Sequence, residues 1–261
     1  MHATDLTTDI LLRLTGDALL MFYSCAEQFH GEACQGAVMA VSGEPVADLN
    51  YVMLNSGDSA ALAAFDRYVG WCDARELPFA CMVAPGASEA AAPVCEQLGL
   101  VLATEWPLMV CAGEAAADFP VQGVDIRQLQ TEDDYDGMVE VLESAYQMPV
   151  ASVRRAMPLR LVQSPSLDIY LAERDGKILS TVTVTRHGEV IGVWAMGTHV
   201  DAQGQKIGKA LLSRVMFAAT QAGATAFFLG ATPAGFPLYQ RLGYETLYTA
   251  NIWVRGETHQ A

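Results

Sequence analysis

The chain has 261 residues, of which 52% are hydrophobic, and its 30 acidic and 15 basic residues give a net charge of −15. This composition suits one large or two ordinary globular domains and excludes a disordered chain. No apolar run approaches the roughly 20 residues of a membrane-spanning helix, and residues 1–9 lack the basic segment of a secretion signal, so we expect a cytoplasmic protein without membrane contacts.

Apolar periodicity and turn residues divide the first half into helices and strands. Helices are predicted over 9–29 and from 59 to about 76, and strands over 35–41, 48–54, 79–83 and 100–111. Ser88 is the predicted N-cap of a further helix that runs to Leu98 and is stopped by Gly99.

A small, turn-rich segment at 113–123 separates the two halves. After a strand at 124–129, Thr131 and Asp134 form the pattern of a capping box and predict a helix that runs to Tyr146. An Arg-rich helix at 149–163 should be broken at Pro158, because proline disrupts helix interiors.

The rest of the second half alternates strands with two helices. Strands are predicted over 167–173, 177–185 and 190–196, and an amphipathic helix begins near residue 207. The stretch 227–244 indicates a strand, a Pro/Gly break and a short helix that carries Tyr239 and ends at Gly243.

The ends of the two halves resemble each other. Shifted by 144 positions, residues 93–110 match 237–254 without a gap, and the order of break, helix, Leu-Gly and strand is the same. We therefore predict two copies of one fold, over 1–118 and 119–261, with an unrelated small α/β domain in the first half as the alternative. At the first copy's equivalent helix start, Asp58 would cap the free N–H groups and repel an anion, so we expect that copy to be non-catalytic.

Charge and cysteines are unevenly distributed. Residues 1–120 contain 16 acidic and 3 basic residues, whereas 121–261 contain 14 and 12. This argues against nucleic-acid binding and leaves the bases for a polyanionic ligand in the second half. All six cysteines lie in the first half without a C-x-x-C pair, which favours buried, reduced thiols over metal or disulfide roles.

The loop before residue 207 has the features of a phosphate site. A strand that turns through a polar, Gly-containing loop into a helix directs free N–H groups and the positive end of the helix dipole at one point. The segment from Gln203 to Gly208 resembles the Q/R-x-x-G-x-G/A pyrophosphate loop of the GNAT family of N-acetyltransferases. Residues 232–244 resemble that family's later signature, N-x-x-A-x-x-L-Y-x-x-x-G-F/Y.

The resemblance covers about the C-terminal half of the chain and implies an α/β (α+β) fold. Together with the internal repeat, it predicts tandem GNAT-like folds, each a mixed, mostly antiparallel sheet flanked by helices. In this family the sheet splays open where coenzyme A (CoA) enters.

Two positions depart from the family's motifs. Lys206 stands where the family has its first Gly, and Thr232 stands where it usually has Asn. We expect Lys206 to be already helical, because a left-handed backbone there would strain Lys but not Gly. Gly208 then keeps the position at which a ligand approaches the backbone closely.

The resemblance implies an N-acetyltransferase that moves an acetyl group from acetyl-CoA to a primary amine on a small molecule or peptide, by direct attack in a ternary complex and without a metal. By this resemblance, Tyr239 stands at the position of the family's general acid, which protonates the CoA sulfur. The expected CoA-binding residues are Met196, Gly197, Thr198, Gln203, Gly204, Gln205, Lys206, Ile207, Gly208, Lys209 and Thr232. The oligomeric state is left open.

The general base is not evident, because the strand segment 193–196 has no carboxylate where many family members place a Glu. His199 and Glu143 are the leading candidates, and Asp168 and Glu189 are others, each acting directly or through water. Trp194 and Tyr146 either form walls of an acceptor pocket or pack in the core.

Two other functions are open. One is a non-catalytic acyl-CoA-binding or regulatory module, which the missing carboxylate and Lys206 favour and Tyr239 opposes. The other is a transferase for longer acyl groups, since Ala195 and Gly197 are small.

Overall fold

The computed structural model of the protein describes residues 6–255. They form two compact units, each made of two chain segments. The N-terminal unit contains residues 8–107 and 248–255, and the C-terminal unit contains 6–7 and 108–247. The predicted boundary at 118/119 divides the chain once. The division into these two units falls after residues 7, 107 and 247. Between residues 6 and 255, no helix is long and apolar enough to cross a bilayer.

The N-terminal unit has a sheet flanked by helices. Its elements are α1 (Thr8–Tyr23), β1 (His30–Cys34), β2 (Ala37–Val41), β3 (Asn50–Leu54), α2 (Ser59–Asp73), β4 (Ala80–Val83), α3 (Ser88–Gln97) and the first part of β5 (Leu100–Ala112). β1–β2 and β2–β3 are antiparallel, and β3–β4, joined through α2, is parallel. Phe65 and Tyr68 of α2 are among the largest side chains buried in this unit.

Two expectations for this unit were wrong. The predicted helix over 9–29 ends at Tyr23, and the unpredicted β1 follows it. β1 is mostly exposed and carries no apolar alternation, so only its pairing with β2 defines it as a strand. Ser88 is the first residue of α3 and not its N-cap, which is Ala87, because its hydroxyl donates to the Ala84 carbonyl instead.

The C-terminal unit also has a mixed sheet flanked by helices. Its elements are β6 (Asp125–Gln128), α4 (Glu132–Tyr146), α5 (Val150–Ala156), β7 (Leu167–Arg174), β8 (Lys177–His187), β9 (Val190–Thr198), α6 (Ile207–Gln221), β10 (Ala226–Gly230), α7 (Phe236–Arg241) and the start of β11 (Glu245–Arg255). Only β9–β10 is parallel, and β5–β10, β8–β9, β7–β8 and β6–β7 are antiparallel. The predicted fold class, mixed and mostly antiparallel sheets with flanking helices, is confirmed.

The same succession of elements occurs twice. Strand, strand, strand, helix, strand, helix, strand describes both β1 to β5 and β7 to β11, with the same pairing directions up to the fourth strand. Part of the final strand of each succession belongs to the unit that contains the other succession. Residues 108–112 of β5 pair with β10, and residues 251–254 of β11 pair with β4.

A network of polar groups fixes the start of α4. The Thr131 hydroxyl accepts from the Asp134 N–H at 3.1 Å, and the Asp134 carboxylate accepts from the Thr131 N–H at 3.0 Å, so the predicted capping box is confirmed. Arg127 of β6 donates to Asp134 at 2.6 Å and to Glu173 of β7 at 2.7 Å. This ties the start of α4 to two strands of the sheet. The Arg127 guanidinium, followed by backbone N–H groups, holds the pKa of Asp134 well below its usual range.

We expect Asp134→Asn to lower the free energy of unfolding at neutral pH by about 1–3 kcal/mol, because it removes the buried carboxylate that accepts from Arg127 and from two backbone N–H groups. The folded pKa of Asp134 is lower than the unfolded one, so its contribution is complete above about pH 4 and is lost as the pH falls through the folded value. Urea unfolding measured from about pH 3 to about pH 7 should show that the free energy of unfolding falls less steeply with acid in the variant than in the wild type.

Asp136→Asn is the matched control. Asp136 lies on the same helix and pairs with Arg154 at 2.8 Å, but both side chains are about half exposed. Its replacement should change stability by less than about 1 kcal/mol. Equal losses in the two variants would contradict the role given to the Arg127 network.

Candidate active site

β9 contains a bulge at Ala195 and Met196. In the pairing with β8, Gly197 is opposite Thr181 and Trp194 is opposite Thr183, so two residues of β9 face the single residue Val182. Ala195 has a φ of 44°, which lies in the left-handed region and is unusual for a residue with a side chain. The strand therefore contains one residue more than its partner at this point.

The bulge changes which face of the sheet each side chain occupies. Side chains alternate along a regular strand, so Trp194 and Met196 would share a face. Instead Met196 joins Val193 in the core beneath α6. The Trp194 indole lies on the other face, where its N–H donates to the Thr185 hydroxyl at 3.0 Å.

β9 and β10 separate just before this bulge. Their parallel pairing runs from Val190 and Ala226 to Gly192 and Phe228 and goes no further. From Val193 onwards, β9 is not paired with β10 within residues 6–255, although β10 continues to Gly230. The sheet thus forks beside Met196, which is the kind of opening that the resemblance implied.

The loop before α6 adopts a left-handed conformation twice. Gly204 has a φ of 75° and Lys206, the N-cap of α6, has a φ of 65°. The expectation that Lys206 is already helical was wrong, because its backbone is left-handed and α6 begins only at the next residue, Ile207. No side chain caps α6. The N–H groups of Ile207, Gly208 and Lys209 donate to no acceptor within residues 6–255.

Gly208 allows α6 to pack closely against the end of β9. A Cβ on Gly208 would lie 2.7 Å from the Thr198 hydroxyl and 3.3 Å from the terminal methyl of Met196. Packing against the neighbouring strand therefore requires a small residue here. The Ser180 hydroxyl also bonds the Gly197 carbonyl at 2.6 Å and the Thr198 hydroxyl at 2.9 Å.

The other residues expected to bind CoA surround this helix start. The Gln203 amide donates to the Thr198 carbonyl at 3.3 Å, and the Gln205 amide donates to the Asp201 carbonyl at 2.9 Å. The Lys209 ammonium lies 3.9 Å from the centroid of the Phe119 ring, a cation–π contact. Thr232 is exposed and its oxygens accept from the Gly235 N–H, so it shapes the turn before α7.

Tyr239 of α7 approaches the bulge from the α6 side. Its hydroxyl lies 4.0 Å from the Met196 sulfur, and the side chain is 8% exposed. Burial raises the pKa of Tyr239 to about 12. The phenol therefore keeps its proton at neutral pH.

The candidates for the base occupy different places. His199 directly follows β9, and its Nδ1 accepts from the Asp201 N–H at 3.3 Å. Glu143 is exposed on α4. It is two residues from both Val141 and Ala145, which pack near Gly197, and a helix turns about 100° per residue, so Glu143 faces away from β9.

The remaining two carboxylates have other surroundings. Asp168 accepts from Gln128 at 2.6 Å and from the Arg186 Nε at 2.7 Å. Glu189 lies in the turn before β9, at the end of that strand opposite to the bulge. Of the four candidates, only His199 lies next to the bulged end of β9.

One contact at the bulge was not anticipated from the sequence. The Tyr146 hydroxyl, at the end of α4, donates to the Met196 carbonyl at 2.8 Å. Tyr146 was expected only to wall a pocket or pack in the core. The two residues are 50 positions apart, so no local pattern could have indicated the bond.

The comparisons with known proteins agree with this architecture. Residues 165–246 match the family model described as "Acetyltransferase (GNAT) domain". A GCN5-related N-acetyltransferase from Kribbella flavida is similar in structure, with a TM-score of 0.68 and 19% identity over 96% of this chain and 97% of that chain. One from Sphaerobacter thermophilus has a TM-score of 0.59 and 16% identity over 84% and 76%.

A third similar structure is described as a GCN5-related glucosamine N-acetyltransferase region of a fungal multi-domain β-N-acetylglucosaminidase. Its TM-score is 0.64, with 10% identity over 95% of this chain and 37% of that chain. No curated protein matches the chain. The chain thus has the fold of the GCN5-related N-acetyltransferases, and its residues 165–246 are similar to the GNAT domain.

We expect Lys206→Gly to raise the free energy of unfolding by up to about 1 kcal/mol, because glycine adopts the left-handed conformation without the strain that a side chain causes. Gln205→Gly is the control in the same loop. Gln205 has no positive φ, so its replacement should lower stability by roughly 0.5–1 kcal/mol. Urea unfolding of the two variants measures both effects, and a loss in Lys206→Gly would refute the strained N-cap.

Proposed function

We propose that the protein is an N-acetyltransferase that transfers the acetyl group of acetyl-CoA to a primary amine on a small molecule or peptide. The active site is in the C-terminal unit. The observation that carries this proposal is the meeting of three features at Met196: the fork between β9 and β10, the unpaired N–H groups that begin α6, and the Tyr239 hydroxyl.

The start of α6 would bind the CoA pyrophosphate. The N–H groups of Ile207, Gly208 and Lys209 are unpaired within residues 6–255, and the helix dipole makes this end positive. Lys206 adds a cation next to them, and Lys209 could do so by leaving the Phe119 ring. The pantetheine arm would lie in the fork, where the backbone of β9 beyond Gly192 has no strand on the β10 side.

The corresponding helix of the N-terminal unit differs in one decisive respect. The Asp58 carboxylate accepts from the N–H groups of Ala60 and Ala61 at 3.0 and 2.9 Å. The hydrogen bond from the Ser56 hydroxyl, followed by these two, holds the pKa of Asp58 below its usual value, so the group is anionic at neutral pH. A second pyrophosphate would have to displace it against its charge. We therefore propose that this repeat is non-catalytic.

The transfer forms a C–N bond, breaks a C–S bond and moves two protons, after which Tyr239 regains its proton from solvent. The amine nitrogen attacks the thioester carbonyl carbon, the tetrahedral intermediate collapses with cleavage of the C–S bond, and the leaving thiolate takes the phenolic proton of Tyr239. The attacking nitrogen gives up one proton. Its acceptor would be His199, directly or through water, since His199 is the candidate next to the bulged end of β9.

A non-catalytic acyl-CoA-binding module is the second candidate, because no carboxylate occurs in residues 193–196. CoA release from acetyl-CoA in the presence of glucosamine, spermidine, tyramine or an unblocked peptide separates the two. Glucosamine is included because the similar fungal region is described as a glucosamine N-acetyltransferase. Release with at least one amine supports the transferase, whereas tight CoA binding without release supports the module.

We expect Lys206→Glu to weaken CoA binding about tenfold, since it replaces a cation beside the pyrophosphate with an anion. Arg75→Glu, an equal charge change at an exposed residue after α2 of the N-terminal unit, should leave the affinity within about twofold. Calorimetric titration with CoA measures both. Equal weakening in the two variants would point to a general charge effect and away from a site at α6.

We expect Tyr239→Phe to lower kcat at least about tenfold with little change in CoA affinity, because it removes the proton donor but keeps the ring. Tyr244→Phe is the matched control. Its ring lies 5.8 Å from that of Tyr239, while its hydroxyl contacts the Met216 sulfur instead. An unchanged kcat in Tyr239→Phe would exclude this residue as the acid.

A further inference from the structure

The bulge in β9 is held by a side chain from α4. The Tyr146 hydroxyl donates to the Met196 carbonyl at 2.8 Å. A Cβ on Gly197 would lie 3.0 Å from the Ala145 Cβ and 3.6 Å from the edge of the Tyr146 ring. The last turn of α4 therefore rests directly on the strand at the bulge, and the absence of a side chain at Gly197 allows this contact.

This hydrogen bond fixes the orientation of a complete peptide group. A trans peptide is planar, so a bond to the Met196 carbonyl also sets the direction of the Gly197 N–H. The Ser180 hydroxyl bonds the Gly197 carbonyl at 2.6 Å and fixes the next peptide in the same way. Two consecutive peptides after the bulge are thus held by side chains from different elements.

The bulge needs such support. A side chain in the left-handed region strains the backbone, as at Ala195 here, and this conformation persists only where the surroundings enforce it. Tyr146 provides an attachment from outside the β8–β9 pair. α4 is itself anchored to the sheet at its other end through Arg127 and Asp134.

Tyr146 lies on the face of the sheet opposite to Tyr239. The Met196 sulfur and Tyr239 lie on the α6 face, whereas Tyr146 and Gly197 meet on the α4 face. The hydroxyl of Tyr146 is bound to Met196 there, and the edge of its ring lies beside Gly197.

We propose that Tyr146 is a positioning residue for acetyl transfer. It fixes the peptide between Met196 and Gly197, in the stretch of β9 that borders the fork where the pantetheine arm would lie, and so holds the backbone beside the reacting thioester in one orientation. This role rests on the proposed N-acetyltransferase function.

The first test compares Tyr146→Phe with Tyr135→Phe. Both changes remove a tyrosine hydroxyl of α4 that donates to a backbone carbonyl, since the Tyr135 hydroxyl bonds the Arg154 carbonyl at 3.4 Å. With the most active amine of the panel above, Tyr146→Phe should lower kcat at least about tenfold. Its KM and Kd for acetyl-CoA should stay within about twofold, because the start of α6 is untouched. Tyr135→Phe should leave all these values unchanged.

The second test needs no acceptor. Amide hydrogen exchange of Met196 and Gly197, measured by NMR with CoA bound, should be faster in Tyr146→Phe than in the wild type and unchanged in Tyr135→Phe. Wild-type exchange at these amides, or an undiminished kcat, would overturn the positioning role. Failure of the proposed function would be visible separately, as a wild-type protein that binds no CoA or releases none with any amine.

Discussion

The geometry of the candidate active site depends on the one extra residue in β9. Without the bulge at Ala195, regular alternation would direct Met196 to the same face as Trp194 and away from Tyr239. With it, Met196 meets Tyr239 on the α6 face, and Gly197 meets α4 on the other. The bulge also coincides with the end of the β9–β10 pairing, so the exposed strand backbone and the phenol occur at one place.

The bulge is connected to the proposed pyrophosphate site by close packing. Thr198 contacts the position of Gly208 so tightly that no side chain fits there, and Ser180 bonds both Gly197 and Thr198. The fork and the start of α6 are therefore held at a fixed separation, as a ligand that spans both would require. The N-terminal repeat has the same order of elements, yet Asp58 occupies its helix start. The Asp58 carboxylate thus makes the helix start of the N-terminal repeat unsuitable for an anion, although the order of elements is the same in both repeats.

The exchange of final strands explains why the units do not follow the sequence repeat. Residues 108–112 complete the sheet beside β10, and residues 251–254 complete the sheet beside β4. A cut between 118 and 119 would leave each part without a strand of its own sheet. The repeat is visible in the sequence, but the pairing partner of each final strand is not, since β5 and β11 follow the same Leu-Gly helix end.

The sequence alone determined the features that depend on residues close to one another in the chain. The capping box of Thr131 and Asp134, the helix ends at Gly99 and Gly243, and the motifs that indicate a GNAT domain all depend on neighbouring residues. The tertiary structure decided the conformation of Lys206, the strand β1, the strand exchange and the bulge, because each depends on cross-strand pairing or on the path of the chain between packed elements. The same reason applies to the Tyr146–Met196 hydrogen bond, in which two residues 50 positions apart meet only after α4 has docked on the sheet.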